Sequence, residues 1–203
     1  MLEVLVTIVI LAFGMLGLAG LQSKIFTSEM ESYQRAQAVV LANDMVERIT
    51  ANRTVDAKYV PTINLGCNPN CAPPPATSIG ETTYGTATAN VGDCVSKTTP
   101  TLPPGVLRDL CEWSNTLKGA AETSGASKVG GMVGALGCIT QIQAKDETLG
   151  VCKPSIYMVS VAWQGLNATS IPSASCGQGS FGSDDRFRRV VSARVSIGTY
   201  KCY

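Results

Sequence analysis

The chain of 203 residues has no histidine, so it lacks the commonest general base and the commonest metal ligand. Cys-His catalysis and Cys-His zinc sites are therefore excluded. Charge is scarce: Asp, Glu, Lys and Arg make up 15% of the residues, and 16 basic against 15 acidic side chains leave a net of +1. No global field recruits nucleic acid or acidic lipid. No basic residue precedes the apolar stretch that opens the chain and no small-residue cleavage site follows it, so a cleaved signal peptide is not expected. No nucleophile–base constellation, calcium-loop spacing or cofactor motif stands out either. The expectation is a non-enzymatic protein without cofactor or metal.

What is abundant is cysteine and uninterrupted apolar sequence. Eight cysteines, Cys67, Cys71, Cys94, Cys111, Cys138, Cys152, Cys176 and Cys202, point to a disulfide framework in an oxidising compartment. From Val4 to Leu21 the one polar side chain is Thr7. As a helix this stretch covers about 27 Å, close to the hydrocarbon thickness of a bilayer. Glu3 sits at its start, and a carboxylate in hydrocarbon costs several kcal/mol unless it is interfacial or paired with a cation from another molecule. Glu3 is the first candidate functional residue. Gly14, Gly17 and Gly20 recur every three residues and would permit close helix approach.

From Gln22 to about Arg53 the pattern becomes amphipathic, with Phe26, Met30, Tyr33, Ala36, Val40 and Ile49 as its expected apolar stripe. The two halves predict one helix of about 50 residues, the second half packed on a globular domain. Residues 61–105, rich in Pro, Thr, Asn and Gly, read as a long exterior loop clamped by Cys67, Cys71 and Cys94. Leu107 to Leu117 reads as a short helix with Trp113 in the core and Asp109 and Glu112 facing outward. Strands are expected over Gly134–Gln143, Ser155–Trp163 and Phe187–Ile197. The fold class is α+β: a long N-terminal helix covered by an antiparallel sheet, with disulfide-stapled loops. The domain plan is an apolar helix, 1–22, and a globular domain, 23–203, comprising an amphipathic helix 23–53, the loop 61–105 and a β-rich region 134–203.

Other clusters have ordinary readings. Arg186, Arg188, Arg189 and Arg194, with Phe187 between them, invite a single-strand nucleic-acid reading, but charges that guard a strand edge explain them as simply. Asp184-Asp185 reads as a solvated turn, and the sequon Asn167-Ala168-Thr169 is given no role. Cys176 and Cys202 flank the last strand and are expected to pair, closing a loop worth on the order of 3 kcal/mol. Cys138 with Cys152 is the second expected bridge.

Met1-Leu2-Glu3-Val4-Leu5-Val6 resembles the start of a processed type IV pilin. The run Ala12 to Gln22, then Arg35-Ala36-Gln37-Ala38 and Leu41 to Ile49, with Asp109-Leu110, Trp113, Leu117 and Tyr157 to Trp163 further on, is similar to the PilV branch of minor pilins. In such pilins the acid is the fifth mature residue, so the resemblance implies either two residues ahead of Met1 or a start at an internal methionine. The prepilin peptidase site would lie outside the sequence. The resemblance implies the pilin fold and a non-enzymatic minor pilin that primes or caps a type IV pilus fibre, held in the bacterial inner membrane with its domain in the periplasm before assembly. It implies that Glu3 pairs with the N-terminal amine of a preceding subunit. Its implied partners are other minor pilins, the major pilin and a PilY-type tip adhesin, with no specific nucleic acid. The alternatives are a minor pseudopilin of type II secretion and a membrane-anchored DNA-binding pilin.

Overall fold

The computed structural model describes residues 2–60, 81–84, 103–117, 123–124, 127–128, 132 and 134–199. Helix α1, Leu2–Ala51, is unbroken over 50 residues. A 3₁₀ turn, Asp56–Tyr59, follows it, then strand β1, Glu81–Tyr84, and helix α2, Pro104–Leu117. Two short strands, β2 (Thr123–Ser124) and β3 (Ser127–Lys128), form a small hairpin. The main strands are β4, Leu136–Gln143, β5, Ser155–Gln164, and β6, Arg188–Ile197. The chain divides into two compact units, residues 1–36 and 37–203.

The fold class and the three long strands agree with the sequence reading, with β4 beginning two residues later, β5 ending one residue later and β6 beginning one residue later than expected. The sheet is antiparallel throughout, in the order β1-β4-β5-β6. β1 falls inside the expected exterior loop, but at the sheet edge, where proline-flanked sequence is tolerated. Helix α2 starts at Pro104 rather than Leu107, because proline suits the first helical position: its missing N–H has no partner there anyway. The bond from Leu107 N–H to Pro103 O, 3.1 Å, closes that first turn.

Side chains alternate across the sheet, apart from the register shift at Gln141–Gln143. Ile139, Tyr157, Val159, Val161, Val195 and Ile197 face inward and form one core with Ala38, Ala42, Met45 and Ile49 of α1 and Val106, Leu107, Leu110, Trp113 and Leu117 of α2. The buried stripe of α1 is therefore 38-42-45-49, not the expected one. Of the expected residues only Ile49 is buried; Phe26, Met30, Tyr33, Ala36 and Val40 are exposed. At 100° per residue the arc of Phe26, Met30, Tyr33 and Val40 lies about 130° round the helix from the core arc. Size rather than apolarity decided the choice: two alanines let α1 approach a core already filled by Trp113 and Tyr59, both fully buried.

The opposite face carries a second, smaller core of Leu136, Cys138, Ala162, Cys176 and Phe181, with Val190 beside it. The β5–β6 connection, residues 165–187, folds over this face and is held by the disulfide Cys138–Cys176, Cα–Cα 5.7 Å. Both expected bridges are thus overturned. Cys138 lies opposite Ser160 in the ladder, whereas Cys152 follows the β4–β5 turn; Cys138 to Gln143 alone is about 17 Å of strand. Cys176 packs near Ser160, Sγ to the Ser160 carbonyl 3.7 Å, while β6 runs toward Cys202 past the other end of β5, where Ile197 meets Ser155. Cys111 and Cys152 are also disulfide-bonded. Cys67, Cys71, Cys94 and Cys202 lie outside the described residues. With a sequence separation of 38, the Cys138–Cys176 bridge is worth about 4 kcal/mol in the chain-entropy model.

Candidate functional site

The apolar half of α1 is the candidate site. Beyond its first turn, its backbone polar groups are satisfied within the helix, the condition for entering a bilayer or the apolar centre of a helix bundle. Its most apolar 18-residue window has a mean hydropathy of 2.6, and none of that window is buried. Leu2, Leu5, Ile10, Phe13, Leu16 and Leu21 are all more than 60% exposed. At about 25 cal/mol per Å² such a surface is not stable facing water. The hydroxyl of Thr7 donates to Val4 O at 2.9 Å, which removes the one polar side chain of the run from competition with its surroundings. Glu3 lies in the first helical turn, where a carboxylate complements the N-terminal end of the helix dipole. Around Gly14, Gly17 and Gly20 a Cβ would meet nothing within 4 Å. At three-residue spacing they lie on one broad face of the helix.

In the second unit the structure assembles polar residues that the sequence left apart. Arg48 is the hub. Its Nε donates to Asp44 Oδ2 at 3.0 Å, and its Nη1 donates to Asp109 Oδ1 at 3.1 Å and to Glu112 Oε2 at 2.9 Å. Asp109 and Glu112, expected to face solvent, instead join α2 to α1 through this guanidinium. Asn52 Nδ2 donates to Asp109 Oδ2 at 2.9 Å and to the Tyr59 oxygen at 2.7 Å, and the Tyr59 hydroxyl donates to Asp109. Hydrogen bonds from Arg48 and Arg108 hold the Glu112 carboxyl below its usual range. Burial opposes the charge on Arg48, but the Glu112 and Asp44 contacts outweigh it and raise its pKa. The sequence did carry a trace of the cluster, since Asp44 and Arg48 are four apart and Asp109 and Glu112 three apart.

A second seam joins the 3₁₀ turn to the sheet. The buried Asp56 carboxylate accepts from the Ser155 hydroxyl and, at 3.1 Å, from the Tyr157 hydroxyl. Burial is the main cause that raises the pKa of both Tyr59 and Tyr157. Neighbouring carboxylates, Asp109 and Asp56, add to it. An unfolded tyrosine ionises near pH 10. The stabilisation tied to these native protons is fully present below that pH and is lost as pH rises through the higher native values. Urea midpoints are expected to fall steadily above about pH 10, and Tyr59→Phe is expected to flatten the slope. A midpoint independent of pH over 9.5–11.5 would contradict this.

The arginine cluster is not a cationic face. Arg188 is 1% exposed. Its guanidinium donates to the carbonyls of Pro172, Ala174 and Cys176, and its Nε stands 3.2 Å from Asp185 Oδ2, an electrostatic contact rather than an aligned hydrogen bond. Asp185, expected in a solvated turn, is buried and accepts from the Gly179 N–H at 2.9 Å. Arg189 donates to Asn167 O at 2.6 Å and to Thr169 Oγ1 at 2.7 Å, so the sequon is part of the loop's anchorage. Arg186 and Arg194 are exposed. Among the described residues no group of three acids or cysteines is placed to hold a metal ion.

No curated protein matches the chain, and no solved structure does. Residues 20–99, well under half of the chain, match the family model Tt1218-like, described as type IV pilin Tt1218. The long apolar N-terminal helix, the antiparallel sheet and the disulfide are consistent with the type IV pilin fold that this match implies.

Proposed function

We propose that the chain is a type IV pilus subunit, a minor pilin that takes part in fibre assembly by priming or capping within a complex of minor pilins. The observation that carries this reading is an unbroken helix whose stretch from Val4 to Leu21 is apolar on every side and unburied, with one carboxylate, Glu3, just before it. Such a helix serves first as a membrane anchor and then as a segment of a helical bundle made with other subunits. The exposed arc of Phe26, Met30, Tyr33 and Val40 carries apolar surface past the anchor, as lateral contact with neighbouring helices requires. The pilin family match supports the same role. The chain is structural rather than catalytic, resides in the inner membrane with its domain outside the cytoplasm before assembly, and has other minor pilins and the major pilin as partners. Gly14, Gly17 and Gly20 are its close-packing positions and Glu3 its assembly residue.

The test is Glu3→Ala in the full-length protein. Truncating one side of a desolvated charge pair costs about 2–5 kcal/mol, so recovery with other minor pilins from detergent-solubilised membranes should fall more than about tenfold. The thermal midpoint of the domain should not change. Wild-type recovery of the complex by the variant would refute the assignment of Glu3.

A further inference from the structure

We propose that the free edge of β6 is a docking site for an extended, acid-bearing strand from another protein, added to the sheet antiparallel to β6. This goes beyond the pilin reading and does not depend on it.

The ladder identifies which backbone groups are available. Gly165 N–H donates to Phe187 O at 2.7 Å, one step beyond the Gln164–Arg188 pair. Direct donation between facing residues marks a hydrogen-bonded pair, and such pairs alternate along an antiparallel ladder. Phe187, Arg189, Val191, Ala193, Val195 and Ile197 therefore turn their amides and carbonyls toward β5. Val190, Ser192, Arg194 and Ser196 turn theirs to the open side, where they have no partner among the described residues. β6 pairs with β5 over ten residues without a register shift and contains no proline. Two of the usual protections of a sheet edge, a bulge and a proline, are thus absent.

Arg194 decides the chemistry of the occupant. It is exposed, stands beside Met158 on the outer face, and has no ion-pair or hydrogen-bond partner among the described residues. In a hydrogen-bonded pair the incoming residue opposite Arg194 projects on the same face, within about 5.5 Å, so a carboxylate there is favoured and a cation disfavoured. A second copy is a poor occupant. Pairing two β6 strands about a two-fold axis so that all four edge residues bond sets Ser192 against Arg194 of the other copy. The two guanidiniums then lie diagonally about 7–8 Å apart with no acid between them. The same charge that discourages self-association selects an acidic partner strand.

The test uses two acetylated peptides of alternating Thr and Val, one with a central Glu and the other with Lys in its place. Each is titrated onto the full-length protein in detergent micelles, with amide exchange followed across residues 188–197. The Glu peptide should bind about tenfold more tightly than the Lys peptide at low salt, the sum of one favourable and one unfavourable cross-strand pair. It should also slow exchange at Val190, Ser192, Arg194 and Ser196. Arg194→Glu should reverse the preference. Ser196→Pro, which removes an edge-facing N–H, should weaken both peptides about fivefold or more while near-ultraviolet circular dichroism stays native. Equal affinity for the two peptides, unchanged exchange on binding, or edge protection that comes from dimerisation of the wild-type chain would each overturn the proposal.

Discussion

Arg188→Ala is expected to destabilise the globular unit by about 3–5 kcal/mol, the range for removing one partner of a buried ion pair. The substitution strands Asp185, itself buried, and leaves the carbonyls of Pro172, Ala174 and Cys176 without their shared donor. Those carbonyls belong to the connection that covers the outer face of the sheet, so the loss should appear first as loosening of residues 165–187. Asp185 adds its own strain, because its φ of 56° is a left-handed conformation that its contacts to Gly179 N–H and Arg188 must maintain. Arg188→Lys should recover little, since an ammonium cannot span three carbonyls as a planar guanidinium does. Urea denaturation at pH 7 is the measurement. A loss below about 1 kcal/mol for Arg188→Ala would show that water or the loop itself replaces the guanidinium.

Trp113→Ala should cost a similar amount, about 3–5 kcal/mol. Trp113 is fully buried where α1, α2 and the sheet meet, and its indole N–H donates to Leu41 O at 2.9 Å. Its ring edge enters the space left by Gly137: a Cβ there would stand 2.2 Å from Trp113 Cη2 and 2.6 Å from a Leu117 methyl. Gly137→Ala should therefore be destabilising by about 1–3 kcal/mol through overpacking, although alanine is ordinarily no worse than glycine in a strand. The sharper expectation concerns the pair. In the double variant Gly137→Ala with Trp113→Ala the new methyl fills part of the cavity, so the combined loss should be smaller than the sum of the two. Strict additivity would mean that the two residues do not share that space. Calorimetric midpoints of the four proteins measure it.

Periodicity and composition were enough for the two helices and the three long strands, but not for β1, the β2–β3 hairpin or the 3₁₀ turn. An apolar run without breakers dictates a helix, alternation in β-branched sequence dictates strands, and eight cysteines point to disulfides, of which Cys138–Cys176 is one. The roles proposed for Glu3 and the three glycines rest on the same kind of signal, their place along one helix. Partnership across the sequence was not legible. The sequence reading favoured the stripe with the larger apolar residues, and packing against Trp113 and Tyr59 selected the one with two alanines. Arg48 reaches Asp109 across 61 residues, and Cys138 reaches Cys176 because a loop crosses the sheet face, neither of which spacing encodes. Arg188 and Asp185 look like surface charges in any local window. Burial turns them into a staple because a charge withdrawn from water must find its counter-charge and its carbonyls within the fold. The sequence by itself determined what the two helices and the three long strands would become, since that depends on neighbours two to four residues away. The tertiary structure alone decided which groups meet, since desolvation and close packing act between segments that the chain keeps far apart.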